Sequence, residues 1–507
     1  MSLVPQTAQR DSESARSSSR LVHSRGGNPC LVAIDLGAES CRVSLLTWAG
    51  ERPCIRLVHR FANAPVEDGI HLRWNLARIR SGILEGLRIC AELAPEGIRA
   101  IGVDGWAVDY VRLSATGQPI GDPFCYRDQR TIDAQKDVLA RISAQALYQH
   151  TGIQFLPLNT LYQLYADKSC TIPDGAPWLN LPEFVLHSFG ARPCSEYTNA
   201  THTQMVALEN RSWCAPIFCA AGLDINAAPT IVPPGSIVGQ FRGPLASLPA
   251  FRDTALIAPA CHDTASAVAG IPDSGKDWAF ISSGTWSLVG CVLDSPCANE
   301  RALQSNFSNE GGIGGKFNFL KNVNGMWLLQ QCMQYWAAQG MNWSWEDLIA
   351  SAAELPTPEL TFDVNDPDLL LPGDMPARIN AQLERAGVNP VAGAPQITNL
   401  ILHSLAARYA SVLRDLASIT GHQLQRIYVV GGGNRNWYLN RLTEQATGLE
   451  VILGPTESAT IGNFSIQLAA LSDARSETRG VDGQAVVHWA AQLSGMKSDS
   501  QAKATQL

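Results

Sequence analysis

The residues with the clearest capacity for chemistry follow a short apolar segment near the start of the sequence. Residues 31–34 predict a buried strand, which is followed by Asp35 and by a turn of small residues that ends at Ser40 and Arg42. The backbone N–H groups of such a turn, with a hydroxyl and a guanidinium beside them, can hold phosphate oxygens, and a carboxylate at a strand end can bind Mg²⁺. An ordinary hairpin with polar surface groups is the alternative, and so short a motif does not distinguish the two.

A second polar turn stands in the other half of the chain. Residues 282–285, Ser-Ser-Gly-Thr, connect two apolar segments, 278–281 and 286–293, that are predicted to be strands. One such turn in each half is what a nucleoside triphosphate gripped from both sides requires.

Three glycines at 431–433 follow the predicted strand 426–430 and either let the backbone approach a ligand or form a sharp strand-to-helix turn. The sequence contains neither GxGxxG nor GxxxxGK[ST], so a Rossmann fingerprint and a P-loop are unsupported.

A candidate general base lies between the two turns. Asp263 follows the predicted strand 255–258 and opens an alanine-rich helix. A carboxylate near bound phosphate can accept the proton of an attacking sugar hydroxyl, whereas at a helix start it can also be an N-cap. Similarly, Tyr126-Arg127-Asp128-Gln129-Arg130 is interpreted either as a polyol-binding group or as a surface ion-pair cluster.

The elements that must position these residues are typical of an α/β fold. In the first half a helical pattern over 77–90 precedes the strand 98–104, which ends on the carboxylate of Asp104; in the second half a helical pattern over 399–419 precedes 426–430. Each half therefore opens with strand, turn and strand and later offers a helix and another strand. This duplicated plan predicts two α/β lobes with a cleft between them and a boundary near 271–275, where turn residues cluster.

Composition excludes several other classes of protein. The chain has 507 residues, 46% apolar and 17% charged, with a net charge of -8, which fits two or three globular domains that bind a small molecule and no nucleic acid. No transmembrane helix and no membrane partner are predicted, because the apolar stretch 278–293 is short and interrupted. Thirteen cysteines without CxxC spacing argue against a disulfide framework, so a cytoplasmic location is expected. The polar, serine-rich residues 1–29 are predicted to be a disordered tail.

From about residue 31 to residue 470 the chain resembles the FGGY family of carbohydrate kinases, within the actin-like superfamily. Several long segments carry the resemblance: Asp35-Leu36-Gly37-Ala38, Tyr126-Arg127-Asp128, residues 151–157 (TGIQFLP) and 159–164 (NTLYQL), residues 196–201 (EYTNAT), residues 262–268 (HDTASAV), residues 282–288 (SSGTWSL), Asn309-Glu310-Gly311-Gly312, and Trp327-Leu328-Leu329-Gln330. The resemblance implies two actin-like (ribonuclease H-like) lobes, one over 30–272 with the sugar site and the first phosphate loop, the other over 273–475 with the nucleotide site, followed by a tail over 476–507.

The resemblance also implies an activity: ATP-dependent phosphorylation of L-rhamnulose at its C1 hydroxyl, giving L-rhamnulose 1-phosphate and ADP in L-rhamnose catabolism. Mg²⁺ is the expected cofactor, with Asp35 as its ligand, ATP is the co-substrate, and the enzyme is expected to be a monomer or homodimer. Asp263 is expected to be the catalytic base. The implied sugar contacts are Ala107, His262, Asp263, Thr264 and Asn322, and the implied ATP contacts are Ala38, Glu39, Ser40, Cys41, Arg42, Thr285, Gln330 and Gly432.

Two positions depart from the family pattern. Residues 39–42 are Glu-Ser-Cys-Arg where the family usually has Ser-Ser-Gly-Arg, and an anionic Glu39 beside a triphosphate is unfavourable unless it points outward or toward the metal. Ala107 replaces a glycine of the sugar site, and its methyl group either shifts sugar preference or is absorbed beside Gly105. The open alternatives are a kinase for L-fuculose or a pentulose, and a non-catalytic actin-like regulator that binds nucleotide.

Overall fold

The computed structural model describes residues 28–169, 172–173, 175–473 and 480–495. The tail predicted over 1–29 lies outside these residues except for Asn28 and Pro29. Two six-stranded sheets, each with helices packed on it, form the centres of two α/β lobes, and the predicted fold class is thereby confirmed.

The strands correspond closely to the apolar segments of the sequence. In chain order they are β1 (Cys30–Leu36), β2 (Ser40–Ala49), β3 (Arg52–Ala62), β4 (Val66–Asp68), β5 (His71–Arg73), β6 (Ile98–Gly105), β7 (Tyr110–Arg112), β8 (Trp178–Asn180), β9 (Ser195–Glu196), β10 (Ile231–Val232), β11 (Ser236–Gln240), β12 (Ala255–Ala258), β13 (Trp278–Ser283), β14 (Trp286–Leu293), β15 (Ser308–Gly311), β16 (Phe317–Asn324), β17 (Arg426–Val430) and β18 (Glu450–Leu453). Every strand predicted from the sequence lies within one of these ranges.

The helices connect and cover the sheets. They are α1 (Leu76–Leu93), α2 (Thr131–Leu139), α3 (Ala144–Thr151), α4 (Thr160–Ala166), α5 (Leu181–Ser188), α6 (Tyr197–Thr201), α7 (Ala215–Ala221), α8 (Asp263–Ala269), α9 (Glu300–Gln304), α10 (Trp327–Ala338), α11 (Trp345–Ala353), α12 (Met375–Arg385), α13 (Ala394–Thr420), α14 (Trp437–Thr447), α15 (Ser458–Ser472) and α16 (Gly483–Ser494). The two helices predicted over 77–90 and 399–419 are α1 and α13. Among the described residues no helix combines the length and the apolar character needed to cross a membrane.

Five strands of each sheet share one topology, and the sixth strand, β11 or β15, lies at opposite edges of the two sheets. In the first, with the order β11-β12-β6-β1-β2-β3, the strands β1, β2 and β3 form an antiparallel meander, and β6 runs parallel to β1 with β12 parallel to β6. In the second, with the order β15-β16-β14-β13-β17-β18, the strands β13, β14 and β16 form the meander, and β17 and β18 follow in parallel. Because parallel strands end at the same edge of a sheet, each lobe presents its polar loops at one edge.

Local sequence explains why α1 forms and where it lies. Asn75 caps it by accepting a hydrogen bond from the backbone N–H of Arg78 at 2.9 Å, which satisfies one of the unpaired donors at the helix start. Its apolar residues recur at helical spacing, and Ile79, Ile83 and Leu87 are buried in the same core as the inner residues of β1 and β6.

The last two helices differ from the arrangement that the sequence suggested. Helix α15, which falls within the range 273–475 assigned to the second lobe, packs on the first sheet, where Phe464 and Ile466 share a core with Leu31 and Ala33. Residues 483–494, placed in the C-terminal tail, form helix α16, which joins the same core. Helix α15 is buried on all its faces and packs on a sheet more than 300 residues earlier in the chain, so no local pattern indicates which sheet it covers.

Candidate active site

Three carboxylates meet at the edge of the first sheet. Asp35 is the penultimate residue of β1 and lies opposite Asp104 of β6 in the parallel register. The backbone N–H of Gly105 donates to the carbonyl of Cys261 at 3.0 Å, which brings the segment after β12 to the same edge. Asp263 follows directly as the first residue of α8, and about a third (34%) of its side chain is exposed.

These carboxylates influence each other electrostatically. Burial and the charge of Asp35 raise the pKa of Asp263 to about 6. Burial and the same neighbour raise the pKa of Asp104 well above its usual range. Burial also raises the pKa of Asp35, even though its Oδ2 accepts a hydrogen bond from Nη1 of Arg42 at 2.9 Å. A divalent cation offsets such crowding of negative charge, and Oδ1 of Asp104 is a buried carboxylate oxygen with no hydrogen-bond partner among the described residues. The donor set therefore fits Mg²⁺.

The segment that carries Asp263 is held by buried side chains. The backbone N–H of Cys261 donates to Oε2 of Glu196 at 2.7 Å, and that of His262 donates to Oγ1 of Thr198 at 3.3 Å. The N-cap position of α8 is His262, so the N-cap alternative for Asp263 is not what the structure shows. Oγ1 of Thr264 lies 3.3 Å from Oδ1 of Asp263 and orients that carboxylate.

Glu183 and Glu196 should make stability fall as pH rises. Burial raises their pKa values to about 7 and about 8. Because the folded state binds these protons more tightly than the unfolded state, the contribution is complete below about pH 4.5 and is lost as pH rises through 7 and 8. We expect Tm to decline between pH 5 and 8, and the decline to be smaller in Glu183→Gln, as measured by scanning calorimetry. Glu85→Gln, at an exposed glutamate of α1, is the matched control, and equal slopes in all three proteins would contradict the prediction.

The first polar turn reaches across the cleft through Glu39. Its Oε1 accepts a hydrogen bond from Oγ1 of Thr285 at 3.1 Å, and its Oε2 accepts one from Nε2 of Gln330 at 3.0 Å. All three residues are ATP contacts predicted from the sequence, so the structure brings them together. The Glu39 carboxylate therefore points across the cleft rather than outward, and it accepts hydrogen bonds from two donors of the opposite lobe.

The other residues of this turn have different surroundings. Oγ of Ser40 accepts a hydrogen bond from Nε of Arg60 at 3.1 Å, and the Cys41 side chain is buried in the core. Arg42 lies between Asp35 and Glu457, the residue that precedes α15, with its Nε 3.4 Å from the Glu457 carboxylate. Cys41 can therefore reach a ligand only through its backbone, whereas Arg42 ties the sheet edge that carries Asp35 to the second half of the chain.

The turn between β13 and β14 is fixed to the start of α10. The backbone N–H groups of Met326 and Trp327 donate to the carbonyls of Gly284 and Thr285 at 3.0 and 3.2 Å. Since Gln330 lies one turn further along α10, Thr285 and Gln330 face the cleft together.

The glycine triplet packs beside this turn. A Cβ at Gly431 or Gly433 would collide with Ser283, and Gly431 has a φ of +83°, a conformation that favours glycine. Gly432 alone has open space where a side chain would be, with no described atom within 4 Å of that position. Close packing against Ser283 thus explains the glycines at 431 and 433. Gly432 is not packed against a neighbour, so a side chain there would have space.

The loop after β6 carries Ala107, a predicted sugar contact, at one end of the cleft. Ala107 is 8% exposed, and the following Val108 has a φ of +71°, a strained conformation for a β-branched residue. Asp109 fixes this loop because its carboxylate accepts hydrogen bonds from Trp74, Trp106, Tyr126 and Gln163.

Asn322 of β16 approaches the same end of the cleft from the second lobe. Its backbone N–H and its Nδ2 both donate to Oε1 of Gln154, at 2.8 and 3.0 Å. Gln154 lies in the first half of the chain, so this pair of hydrogen bonds joins the lobes and holds the Asn322 side chain in place.

Within the motif Tyr126-Arg127-Asp128, Arg127 contacts the second lobe, whereas Asp128 is buried and binds His71 and Leu72 of the first lobe. The guanidinium of Arg127 lies 3.7 Å from the ring centroid of Trp327, and its Nη1 donates to the carbonyl of Leu370 at 2.7 Å. Asp128 accepts a hydrogen bond from the backbone N–H of Leu72 at 2.8 Å.

Several residues of the site had no interpretation at the sequence level. Asp104 had a signal, since it ends a strand just as Asp35 does. Asn463, which donates to Oδ2 of Asp104 at 2.5 Å, and Glu457 had none, because they lie in and before a helix whose packing is non-local. His202 and Glu310 likewise stand far from His262 in sequence and meet it only in the fold.

Both halves of the chain match models of one protein family. Residues 30–270 match the N-terminal domain of the FGGY family of carbohydrate kinases, and residues 279–471 match its C-terminal domain. The rhamnulokinase of Pectobacterium carotovorum subsp. carotovorum (strain PC1) is 37% identical over 450 residues, 87% of this chain and 88% of that protein. A rhamnulokinase of Pectobacterium atrosepticum is 36% identical over the same shares of the two chains.

Solved structures show the same fold at low sequence identity. A ligand-bound xylulose kinase from Lactobacillus acidophilus superposes with a TM-score of 0.70 at 14% identity, covering 92% of this chain and 96% of that one. Plasmodium falciparum glycerol kinase with ADP gives a TM-score of 0.69 at 13% identity, covering 94% and 96%. Both family domains are matched in order and together span most of the chain. The chain belongs to the FGGY family of carbohydrate kinases.

Proposed function

We propose that this carbohydrate kinase phosphorylates L-rhamnulose at its C1 hydroxyl with ATP, giving L-rhamnulose 1-phosphate and ADP. The observation that carries the proposal is the position of Asp263, a partly exposed carboxylate at the sheet edge with Asp35 and Asp104 beside it. Two rhamnulokinases that are 36–37% identical over 87% of the chain support L-rhamnulose as the acceptor.

In the proposed reaction Asp263 accepts the proton of the sugar hydroxyl as that oxygen attacks the terminal phosphoryl group of ATP. Its raised pKa, about 6, keeps the carboxylate largely ionised at neutral pH while making it a better base than an ordinary aspartate. Thr264 and His262 orient the carboxylate, and Asn322 and Ala107 line the sugar site. The turns before Arg42 and around Thr285 position the phosphates from opposite lobes.

Mg²⁺ fits the edge where Asp35 and Asp104 lie, and these two residues would hold it, directly or through water. When bound, it supplies charge neutralisation for the transferring phosphoryl group. Arg42 keeps the Asp35 carboxylate in place, and Asn463 does the same for Asp104.

The experiment that tests the proposal is ADP release with ATP and Mg²⁺ across L-rhamnulose, L-fuculose and several pentuloses. The highest kcat/KM is expected for L-rhamnulose. A higher value for another ketose would reassign the sugar. ATP binding without ADP release on any ketose would favour the non-catalytic regulator.

Ala107→Gly should change sugar ranking more than nucleotide affinity. One methyl group at a sugar site is worth about 1 kcal/mol at the lower end, which corresponds to a shift of about fivefold in the ratio of kcat/KM values between two ketoses. The ATP KM should stay nearly unchanged, because Ala107 lies at the sugar end. Steady-state kinetics with each ketose measure both quantities, and an unchanged ranking would show that the methyl group is absorbed within the loop.

A further inference from the structure

Two imidazoles and a carboxylate converge beside the sugar site. His202 follows α6, His262 precedes α8, and Glu310 lies on β15 of the second sheet. One ligand atom from each residue lies within 4.8 Å of the other two, and all three side chains are buried. Nε2 of His202 is 2.8 Å and Nδ1 of His262 is 3.7 Å from the same oxygen, Oε2 of Glu310.

Hydrogen bonding within the described part of the chain does not satisfy these atoms. Both carboxylate oxygens of Glu310, Nε2 of His202 and Nδ1 of His262 are buried and lack a hydrogen-bond partner there, although two of them are in close contact. A carboxylate that is fully buried and accepts no hydrogen bond is costly unless a cation compensates it. A cation within reach of all three groups would supply that compensation.

We propose that His202, His262 and Glu310 form a binding site for a divalent transition-metal ion, with Zn²⁺ as the best-suited occupant. Two imidazole nitrogens and one carboxylate oxygen are the ligands that Zn²⁺ and related ions accept, whereas Mg²⁺ prefers oxygen ligands. The site is thus distinct from the carboxylate edge at Asp35 and Asp104. Sequence spacing could not show it, because its three residues come from separate segments.

The second ring nitrogen of His262 supports this assignment. Nδ1 faces Glu310, while Nε2 lies 3.4 Å from Oδ1 of Asp263. Metal-binding histidines commonly direct their other N–H to a carboxylate, which fixes the tautomer and the ring orientation.

Three protein ligands have two consequences. They leave a further coordination position for water or for a hydroxyl of a bound sugar. They also tie the lobes together, because the histidines belong to the first half of the chain and Glu310 to the second sheet. A bound ion would therefore hold the sugar end of the cleft closed and orient the Nε2–H of His262 toward Asp263.

The test is metal binding by the full chain after treatment with a chelator. Titration with Zn²⁺ is followed by calorimetry, and titration with Co²⁺ by its visible absorption, which reports ligand type. One equivalent of metal is expected, with weak d–d bands and without the intense thiolate bands that the free cysteines would give. Mg²⁺ in excess should not displace the ion.

The variants His202→Gln and Glu310→Gln should each weaken Zn²⁺ binding at least about tenfold. His403→Gln, at a half-buried histidine of α13 that contacts Tyr438, is the matched control and should bind like the parent. Circular dichroism verifies that each variant is folded, and either one that folds suffices for the test. The proposal is overturned if the parent protein binds no equivalent of Zn²⁺ or Co²⁺, or if the folded variants bind as tightly as the parent.

Discussion

Asp263→Asn is expected to reduce sugar-dependent turnover by about 10²–10⁴-fold, the usual contribution of a general base. Asparagine has the same shape as aspartate and can keep the contact with Thr264, but its neutral amide cannot accept the hydroxyl proton. The fold should be preserved, because the backbone around residue 263 is held by Glu196 and Thr198 rather than by Asp263.

Binding and turnover separate this catalytic role from a structural one. ATP affinity measured by calorimetry should be unchanged in Asp263→Asn, while kcat for ADP release falls. Asp294→Asn is the matched control: it makes the same chemical change at an exposed aspartate that pairs with Lys276, and it should leave kcat as it is. A loss of less than tenfold in Asp263→Asn would remove Asp263 from the role of base.

The sequence predicted the local elements well because their signals are local. The apolar segments ending at Asp35 and Asp104 form strands that are buried on both faces. The spacing of Ile79, Ile83 and Leu87 is that of one face of a helix. Once β1 and β6 pair in parallel, the two aspartates must lie side by side. The carboxylate edge proposed to hold Mg²⁺ therefore follows from strand ends that a reader of the sequence can find.

What the sequence could not predict depends on contacts between distant segments. The sequence of α15, a helix buried on all its faces, does not indicate which sheet the helix packs on, so the contact of Asn463 with Asp104 could not be predicted. For the same reason His202 and Glu310 were not associated with His262. Glu39 is the intermediate case: its charge was recognised as unusual, but its partners on the opposite lobe depend on how the lobes meet.

Glu39→Ser is expected to lower the ATP KM about tenfold. In the structure the Glu39 carboxylate accepts hydrogen bonds from Thr285 and Gln330, two residues predicted to contact ATP. Removing it frees both donors and takes a negative charge away from the phosphates, and a hydrogen bond to a charged group is worth about 1.5 kcal/mol or more. Because Glu39 is exposed, the gain should shrink as salt concentration rises.

The contacts of Glu39 also join the two lobes in the absence of nucleotide. Scattering should therefore give Glu39→Ser a larger radius of gyration than the parent without ligands, and a similar one with ATP and sugar bound.

Glu39→Gln separates the two causes of the expected change in ATP KM, since it removes the charge but keeps a hydrogen-bond acceptor of the same reach. A KM equal to that of Glu39→Ser would assign the effect to charge, and a KM equal to that of the parent would assign it to the hydrogen bonds. If Glu39 held Mg²⁺ instead, both variants would need more Mg²⁺ for half-maximal rate. Variants indistinguishable from the parent in ATP and Mg²⁺ titrations would show that Glu39 does not compete with the phosphates, and would leave the grip to the backbone of the turn, Ser40 and Arg42.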